Sequence, residues 1–341
     1  MQKGNRWLGL LFVAAMTLAI TGCPKEKPAA PTGGQTGGTG SSTPDSGRKK
    51  RIAVIPKGTA HSFWQTVLAG AQAAGQEENV EIIWQGPSGE TDITGQINLV
   101  QNQINAGVDG IVLAATDAKS LLKPVQDAMS KNIPVVTIDS GLSEPISLSY
   151  IATNNVEGGR QAADALAKAI GEKGKVGLLI FLKGARSSDE REQGFIEGLR
   201  KYPNIQLVST LDIQSDPQKA LEMTLNMLNA HPDLVGIFAA NEPGGVGAAN
   251  ALRQRKLTDK VKLVAFDASE DQIKSLNEGV IQALVVQDPF KMGYLGVKTV
   301  MKAIRKETLS EKFIDSGVVV VNKENINTEP IQKLLYPQGK K

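Results

Sequence analysis

Four polar residues stand where apolar, strand-like runs end, and all four can bond hydroxyl groups. Asp139 closes the run Pro134 to Ile138. Asn241 follows Leu234 to Phe238 through Ala239 and Ala240. Asp267 closes Val261 to Phe266, and Gln287 follows Ile281 to Val286 beside Asp288-Pro289. A further polar group, Arg191, lies in the helix-like stretch Asp189 to Phe195, and His61, Phe63 and Trp64 follow the first apolar run. This mixture suits a polyol. Carboxylates accept from paired hydroxyls and a guanidinium donates to ring or hydroxyl oxygens, with charge strengthening both. Asn and Gln do either, and aromatic rings pack on the C–H face of a sugar. Each residue also has a plainer reading. Asp139, Asp267 and Asn241 could cap helices, Arg191 could be a solvated helix charge, Trp64 could be core, and Lys57 could be an exposed loop lysine.

Other chemistries find little support. Gly245-Val246-Gly247-Ala248-Ala249-Asn250 opens a helix after a strand, but Asn250 stands where a dinucleotide fingerprint has Gly or Ala, and close helix packing accounts for the glycines. There is no GxxxxGK[ST] loop for ATP. Gly86-Pro87-Ser88-Gly89-Glu90 is not a nucleophile elbow, and a Ser-His-Asp hydrolase would have to recruit His61, since His231-Pro232 reads as a turn. One cysteine and two histidines exclude a structural zinc site and an internal disulfide framework, and no cofactor is implied.

The elements needed to position these residues form a ladder. Buried strands at 52–55, 80–84, 110–113 and 134–138 alternate with helices. One helix shows its stripe in Ile93, Ile97, Val100 and Ile104. The pattern restarts with strands at 175–181, 205–211, 234–238 and 261–266, and Asp216-Pro217 marks a helix start. Continuous apolar strands separated by helices mean parallel sheets covered on both faces. The halves match at strand ends: Lys57-Gly58 recurs as Lys183-Gly184, Ala114-Ala115 as Ala239-Ala240, and Thr137-Ile138-Asp139 as Ala265-Phe266-Asp267. The offsets are 126, 125 and 128 residues. Two similar α/β lobes are expected, each a doubly wound parallel sheet, with the polar strand ends facing one cleft.

The first fifty residues read as an address. Lys3 and Arg6 precede an apolar run, Trp7 to Ile20, that ends at Ile20-Thr21-Gly22-Cys23. A signal peptide over 1–22 and lipidation of Cys23 are expected, since a run this short and early is no membrane span. Residues 23–50 are rich in Pro, Gly, Ser and Thr and are expected to form a lipid-anchored flexible linker. The net charge of +3 and the absence of a basic stripe argue against nucleic acid.

From residue 51 to 322 the chain resembles periplasmic sugar-binding proteins of the ribose- and galactose-binding type, which serve ABC importers. The likeness rests on Ser62-Phe63-Trp64, Val135 to Asp139, Glu190 to Phe195, Ala239 to Glu242, Val264 to Asp267 and Val285 to Pro289. It implies that Asp139, Arg191, Asn241, Asp267 and Gln287 bond sugar hydroxyls and that Phe63 and Trp64 sandwich the ring. His61 stands where the ribose type has Asn. Ser140 replaces an Arg of ribose binders, and Ser215 falls where an aromatic is expected. Ile55-Pro56-Lys57, Gln85-Gly86-Pro87 and Asp139-Ser140 resemble the branch that binds rhamnose or a furanosyl signal molecule, which adds Lys57 and Ser140 as ligand contacts. A cyclitol or furanosyl ligand therefore stays open beside a monosaccharide.

The resemblance also implies lobes of 51–152 plus 288–315 and 153–287 plus 316–335, joined by a three-strand hinge. The chain is then expected to be a monomeric, extracytoplasmic, membrane-anchored binding protein, not an enzyme, that hands its ligand to an ABC permease.

Overall fold

The computed structural model describes residues 47–309 and 311–339. The expected signal peptide, Cys23 and most of the linker lie outside the described residues. Arg48 to Lys341 form one unit. That unit begins earlier than the expected linker end at residue 50, because the Arg48 guanidinium grips Asp109 at 2.8 and 3.0 Å and Lys50 pairs with the same carboxylate.

The first lobe is a six-stranded sheet of β1 (Arg51–Ile55), β2 (Glu81–Trp84), β3 (Gly110–Leu113), β4 (Val135–Ile138), β5 (Tyr150–Ala152) and β11 (Phe313–Asp315). Its spatial order is β11-β5-β4-β3-β1-β2, and every pairing is parallel. Alternate residues of one strand serve opposite cores, as a pleated strand requires. Ile52 and Val54 pack with helices α1 (Ser62–Glu77) and α9 (Pro289–Ile304). Ala53 and Ile55 pack with α2 (Ile93–Asn105) and α3 (Leu122–Ser130). This two-sided burial is why the strands read as continuous apolar runs.

The second lobe repeats the plan with β6 (Gly174–Ile180), β7 (Ile205–Asp212), β8 (Leu234–Ala239), β9 (Lys262–Phe266), β10 (Ala283–Gln287) and β12 (Val318–Val321), in the order β12-β10-β9-β8-β6-β7. Its helices are α4 (Asn155–Ile170), α5 (Arg186–Leu199), α6 (Pro217–Ala230), α7 (Glu242–Arg255), α8 (Glu270–Glu278) and α10 (Glu329–Leu335). One pairing departs from the all-parallel expectation: β12 runs antiparallel to β10, with Val318 opposite Gln287. The reason is connectivity. β12 follows β11 after two residues, so it enters the second sheet at its cleft end and must run away from the cleft.

The chain passes between the sheets three times: from β5 to α4 at residues 153–154, from β10 to α9 at 288, and from β11 to β12 at 316–317. Thr153 lies at the centre of these crossings. Its hydroxyl donates to Gln287 Oε1 at 3.0 Å and sits within 3.4 Å of Ser316 Oγ and Gly317 O. The helix that carries Arg191 is seated by close backbone approach. A Cβ on Gly194 of α5 would meet Val156 O of α4 at 2.0 Å, and one on Gly159 would meet Arg191 O at 2.4 Å. Larger residues there would push α5 away from the cleft. Among the described residues, no helix is long and apolar enough to cross a membrane.

Candidate functional site

The strand ends of the two sheets meet around a small cavity. Nine of the ten ligand-site candidates line it: Lys57, His61, Phe63, Trp64 and Asp139 from the first lobe, with Arg191, Asn241, Asp267 and Gln287 from the second. Glu90, Phe181, Glu242 and Pro243 complete the wall. Ser140 does not line it. Asp139 sits in left-handed backbone at φ +55°, and the chain turns so that Ser140 is buried, its Oγ accepting from Ser187 N at 3.4 Å. Ser140 therefore closes a contact between lobes.

The capping alternatives resolve differently for the three residues. Asn241 is the N-cap of α7, accepting from Gly244 N at 3.0 Å, and its amide also donates to Ser215 Oγ at 2.8 Å. Asp139 caps no helix, and Asp267 does not cap α8, which is capped by Ser269; Asp267 instead takes the first amide of α7, Glu242 N. Asp267 also lies in the left-handed region, at φ +72°. The equivalent turn at both strand ends sets each carboxylate in the cavity wall. Asp and Asn tolerate this backbone better than most residues.

Arg191 is a buried cation, not a solvated one, at 2 % exposure. Nε donates to Asn155 Oδ1 and Nη1 to Ala240 O, both at 2.8 Å, and the guanidinium lies 3.7 Å from the centroid of the Phe266 ring. Two bonds leave donors of the five-donor fork for the cavity. Burial pushes the Arg191 pKa below its usual value, opposed by the charges of Asp267 and Asp139. Burial also raises Asp267 to about 6, against the pull of Arg191 and a 2.6 Å bond from Gln287 Nε2. Asp267 Oδ2 accepts from Glu242 N at 2.8 Å.

On the facing wall, Lys57 is buried rather than exposed. Its Nζ lies 3.0 Å from Asp139 Oδ2 and 3.3 Å from Ser187 Oγ of the other lobe. The Lys57–Asp139 contact is close but poorly aligned, so Asp139 Oδ2 has no hydrogen bond among the described residues, and neither does Glu90 Oε2. Glu90 is the main residue that sequence reasoning missed. Its Oε1 accepts from Trp64 Nε1 at 2.8 Å, and His61 Nδ1 stands 3.6 Å away. Burial alone would raise this carboxyl, but the charge of Lys57, the nearby His61 and the bond from Trp64 outweigh it and hold Glu90 down at about 2. For His61, burial disfavours the imidazolium, yet the Glu90 bond and the charges of Glu90, Glu242 and Asp267 carry the pKa above 6.5.

Trp64 serves two purposes, packing into the first-lobe core while its indole N–H fixes Glu90. Phe63 and Trp64 meet edge to face, 4.9 Å apart at 87°, so they form adjoining walls and not two plates around a ring. Phe181 adds an aromatic face from the second lobe. On one rim the lobes touch directly: Ala118 N donates to Gly184 O at 3.0 Å, and Arg186 Nη1 to Leu142 O at 3.3 Å.

Two sheets, three crossings and a polar cavity at their facing strand ends define a hinged binding protein. The sequence profile of the periplasmic binding protein domain matches residues 52–308. The chain belongs to the periplasmic binding protein family. Among solved family structures, a carbohydrate transporter solute-binding protein from Agrobacterium radiobacter in complex with D-arabinose is 35 % identical. It superposes with a TM-score of 0.82 and covers 85 % of this chain and 100 % of its own. An ABC transporter solute-binding protein from Agrobacterium vitis with bound D-fucose is 38 % identical, with a TM-score of 0.82 and coverage of 84 % and 100 %. The ribose import binding protein of Escherichia coli is 29 % identical over 273 residues, covering 80 % of this chain and 91 % of its own. As a periplasmic binding protein of the sugar-binding ABC-importer class, the chain is a transport component and not an enzyme.

Proposed function

We propose that the protein binds one neutral monosaccharide in the cavity between the lobes and delivers it to an ABC permease. The observation that carries this reading is the balance of buried charge and unfilled acceptors. Four carboxylates, Glu90, Asp139, Glu242 and Asp267, face only two permanent cations, Lys57 and Arg191. An anionic ligand such as a sugar phosphate or a uronate would meet net negative charge in a dry site, where repulsion is strong. A hydroxyl group is the donor that Glu90 Oε2 calls for, because a buried acceptor without a partner costs free energy, and Asp139 Oδ2, held only by its ion pair with Lys57, has room for another. Arg191 then donates to ring or hydroxyl oxygens.

Closure follows from two-sided bonding. A sugar held by Asp139 and Asp267 at once favours the closed form by its differential affinity, which is what a permease can read. The relatives' bound D-arabinose and D-fucose support a pentose or deoxyhexose. A cyclitol or furanosyl ligand is a second reading. It is favoured by the burial of Lys57 in the wall, the feature shared with the rhamnose and furanosyl-signal branch. We further propose lipidation at Cys23 after removal of residues 1–22, a flexible tether after it, and action as a monomer outside the cytoplasm. A thermal-shift screen tests the ligand reading, since ligand raises the melting temperature. Neutral pentoses, hexoses, deoxyhexoses and inositols should shift it, and their phosphates and uronates should not. Preference for an anionic sugar would overturn the reading.

A further inference from the structure

We infer that Glu242 is a positioning residue that latches the closed form by capping a helix of the opposite lobe. Helix α1 of the first lobe starts at Ser62 without a cap of its own. His61 occupies the N-cap position with φ −86° and ψ 149°, its side chain makes no capping bond, and the first turn carries no acidic residue. The orphan amides at this end are instead taken by the Glu242 carboxylate from α7 of the second lobe. Ser62 N donates to Oε1 at 3.3 Å, Phe63 N to Oε2 at 3.0 Å, and Ser62 Oγ to Oε1 at 2.9 Å.

A helix N-terminus carries partial positive charge and unsatisfied N–H groups, so a carboxylate there is held by both charge and hydrogen bonds. Here helix and carboxylate belong to different lobes, and the bonds exist only while the lobes are together. Opening leaves both sides to water. The latch is also wired to the site, because Glu242 N is held by Asp267 Oδ2, and Asp267 by Gln287 at the hinge crossing. A ligand that orders Asp267 thereby fixes the residue that caps α1. The closed form is then sampled before ligand arrives, and the strength of the latch sets how far, and with it the measured affinity.

The inference deepens the sugar-binding reading, but its test needs no sugar, so the two can fail separately. Ser62 does not line the ligand cavity. Ser62→Pro removes two of the three donors, and proline is well accepted at the first helical position. His61 already has the extended backbone that a following proline requires. Small-angle scattering of the ligand-free protein should report a larger radius of gyration for Ser62→Pro and for Glu242→Ala than for the parent. The closed share should fall by about tenfold, roughly what one charge-assisted hydrogen bond is worth. Ser62→Ala, which keeps both amide donors, should lie between. Scattering curves for Ser62→Pro and Glu242→Ala that superpose on the parent's, with melting temperatures also unchanged, would overturn the latch. A loss of melting temperature without opening would make the contact merely structural and overturn it as well.

Discussion

Replacing Asp267 by Asn should make the ligand-free protein more stable and the complex weaker. Asp267 is buried and raised from 3.8 to about 6, so ionising it in the folded state costs about 3 kcal/mol at neutral pH. The sign follows from the direction of the shift. A carboxyl raised on folding contributes most stability below pH 3.8, and that contribution is lost as pH rises through about 6. The amide never ionises and so never incurs this cost. It must, however, turn its NH2 toward one of the two donors, Gln287 Nε2 or Glu242 N, and lose one hydrogen bond worth about 1 to 2 kcal/mol. The net gain is about 1 to 2 kcal/mol, or roughly 2 to 5 °C in melting temperature for a body of this size. The backbone at φ +72° suits Asn. Binding moves the other way. A ligand hydroxyl that donates to a charged acceptor gains about 1.5 to 3 kcal/mol, so affinity should fall roughly ten- to a hundredfold. Thermal unfolding by circular dichroism and calorimetric titration with the best neutral sugar read the two effects. The stability gain should shrink toward pH 4, where the parent carboxyl is protonated. A variant that melts several degrees lower, or binds as tightly as the parent, would refute the reasoning.

Glu90→Gln should behave oppositely in stability. A carboxyl held down at about 2 contributes roughly 3 to 3.5 kcal/mol above pH 4.5, lost as pH falls toward 2, so the variant should melt lower at pH 7 and match the parent in strong acid. Equal melting at pH 7 would contradict this. Sugar affinity of the parent should decline about tenfold between pH 7 and pH 5 as Asp267 protonates, and a flat calorimetric profile from pH 7.5 to 5 would remove Asp267 from the binding account. Thr153→Val should weaken binding by about tenfold although Thr153 does not line the cavity, because it leaves Gln287 Oε1 buried without its donor; Thr153→Ser should retain parental affinity. Surface plasmon resonance on both variants checks this, and parental affinity in the valine form would sever the hinge from the site.

The two-lobe plan was legible because it is written locally. A strand buried on both faces is apolar throughout, a helix between strands shows its own period, and duplication repeats both at a near-constant offset. The strand-end positions of Asp139, Asn241, Asp267 and Gln287 follow from that same local pattern. Glu90 was not legible, because its role depends on a loop folding back so that Trp64, 26 residues earlier, can donate to it. A sequence signal was present, an acidic residue in a strand-end loop, but only the tertiary contact gives it meaning. Glu242 likewise sits beside Asn241 in the repeated motif, yet its partner is an amide of the other lobe 179 residues away. The contact of Ser140 with Ser187 was hidden because residue spacing does not reveal the left-handed turn at Asp139. The antiparallel β12 was hidden because direction in a sheet depends on where the chain enters it, not on the residues of the strand.

A crystal structure with the tightest-binding neutral sugar is the most direct test of the central claim. The account predicts a single ring in the interlobe cavity, with hydroxyl groups within hydrogen-bonding distance of Asp139 from the first sheet and Asp267 from the second. A sugar bonded to one lobe alone, or seated elsewhere on the surface, would contradict it.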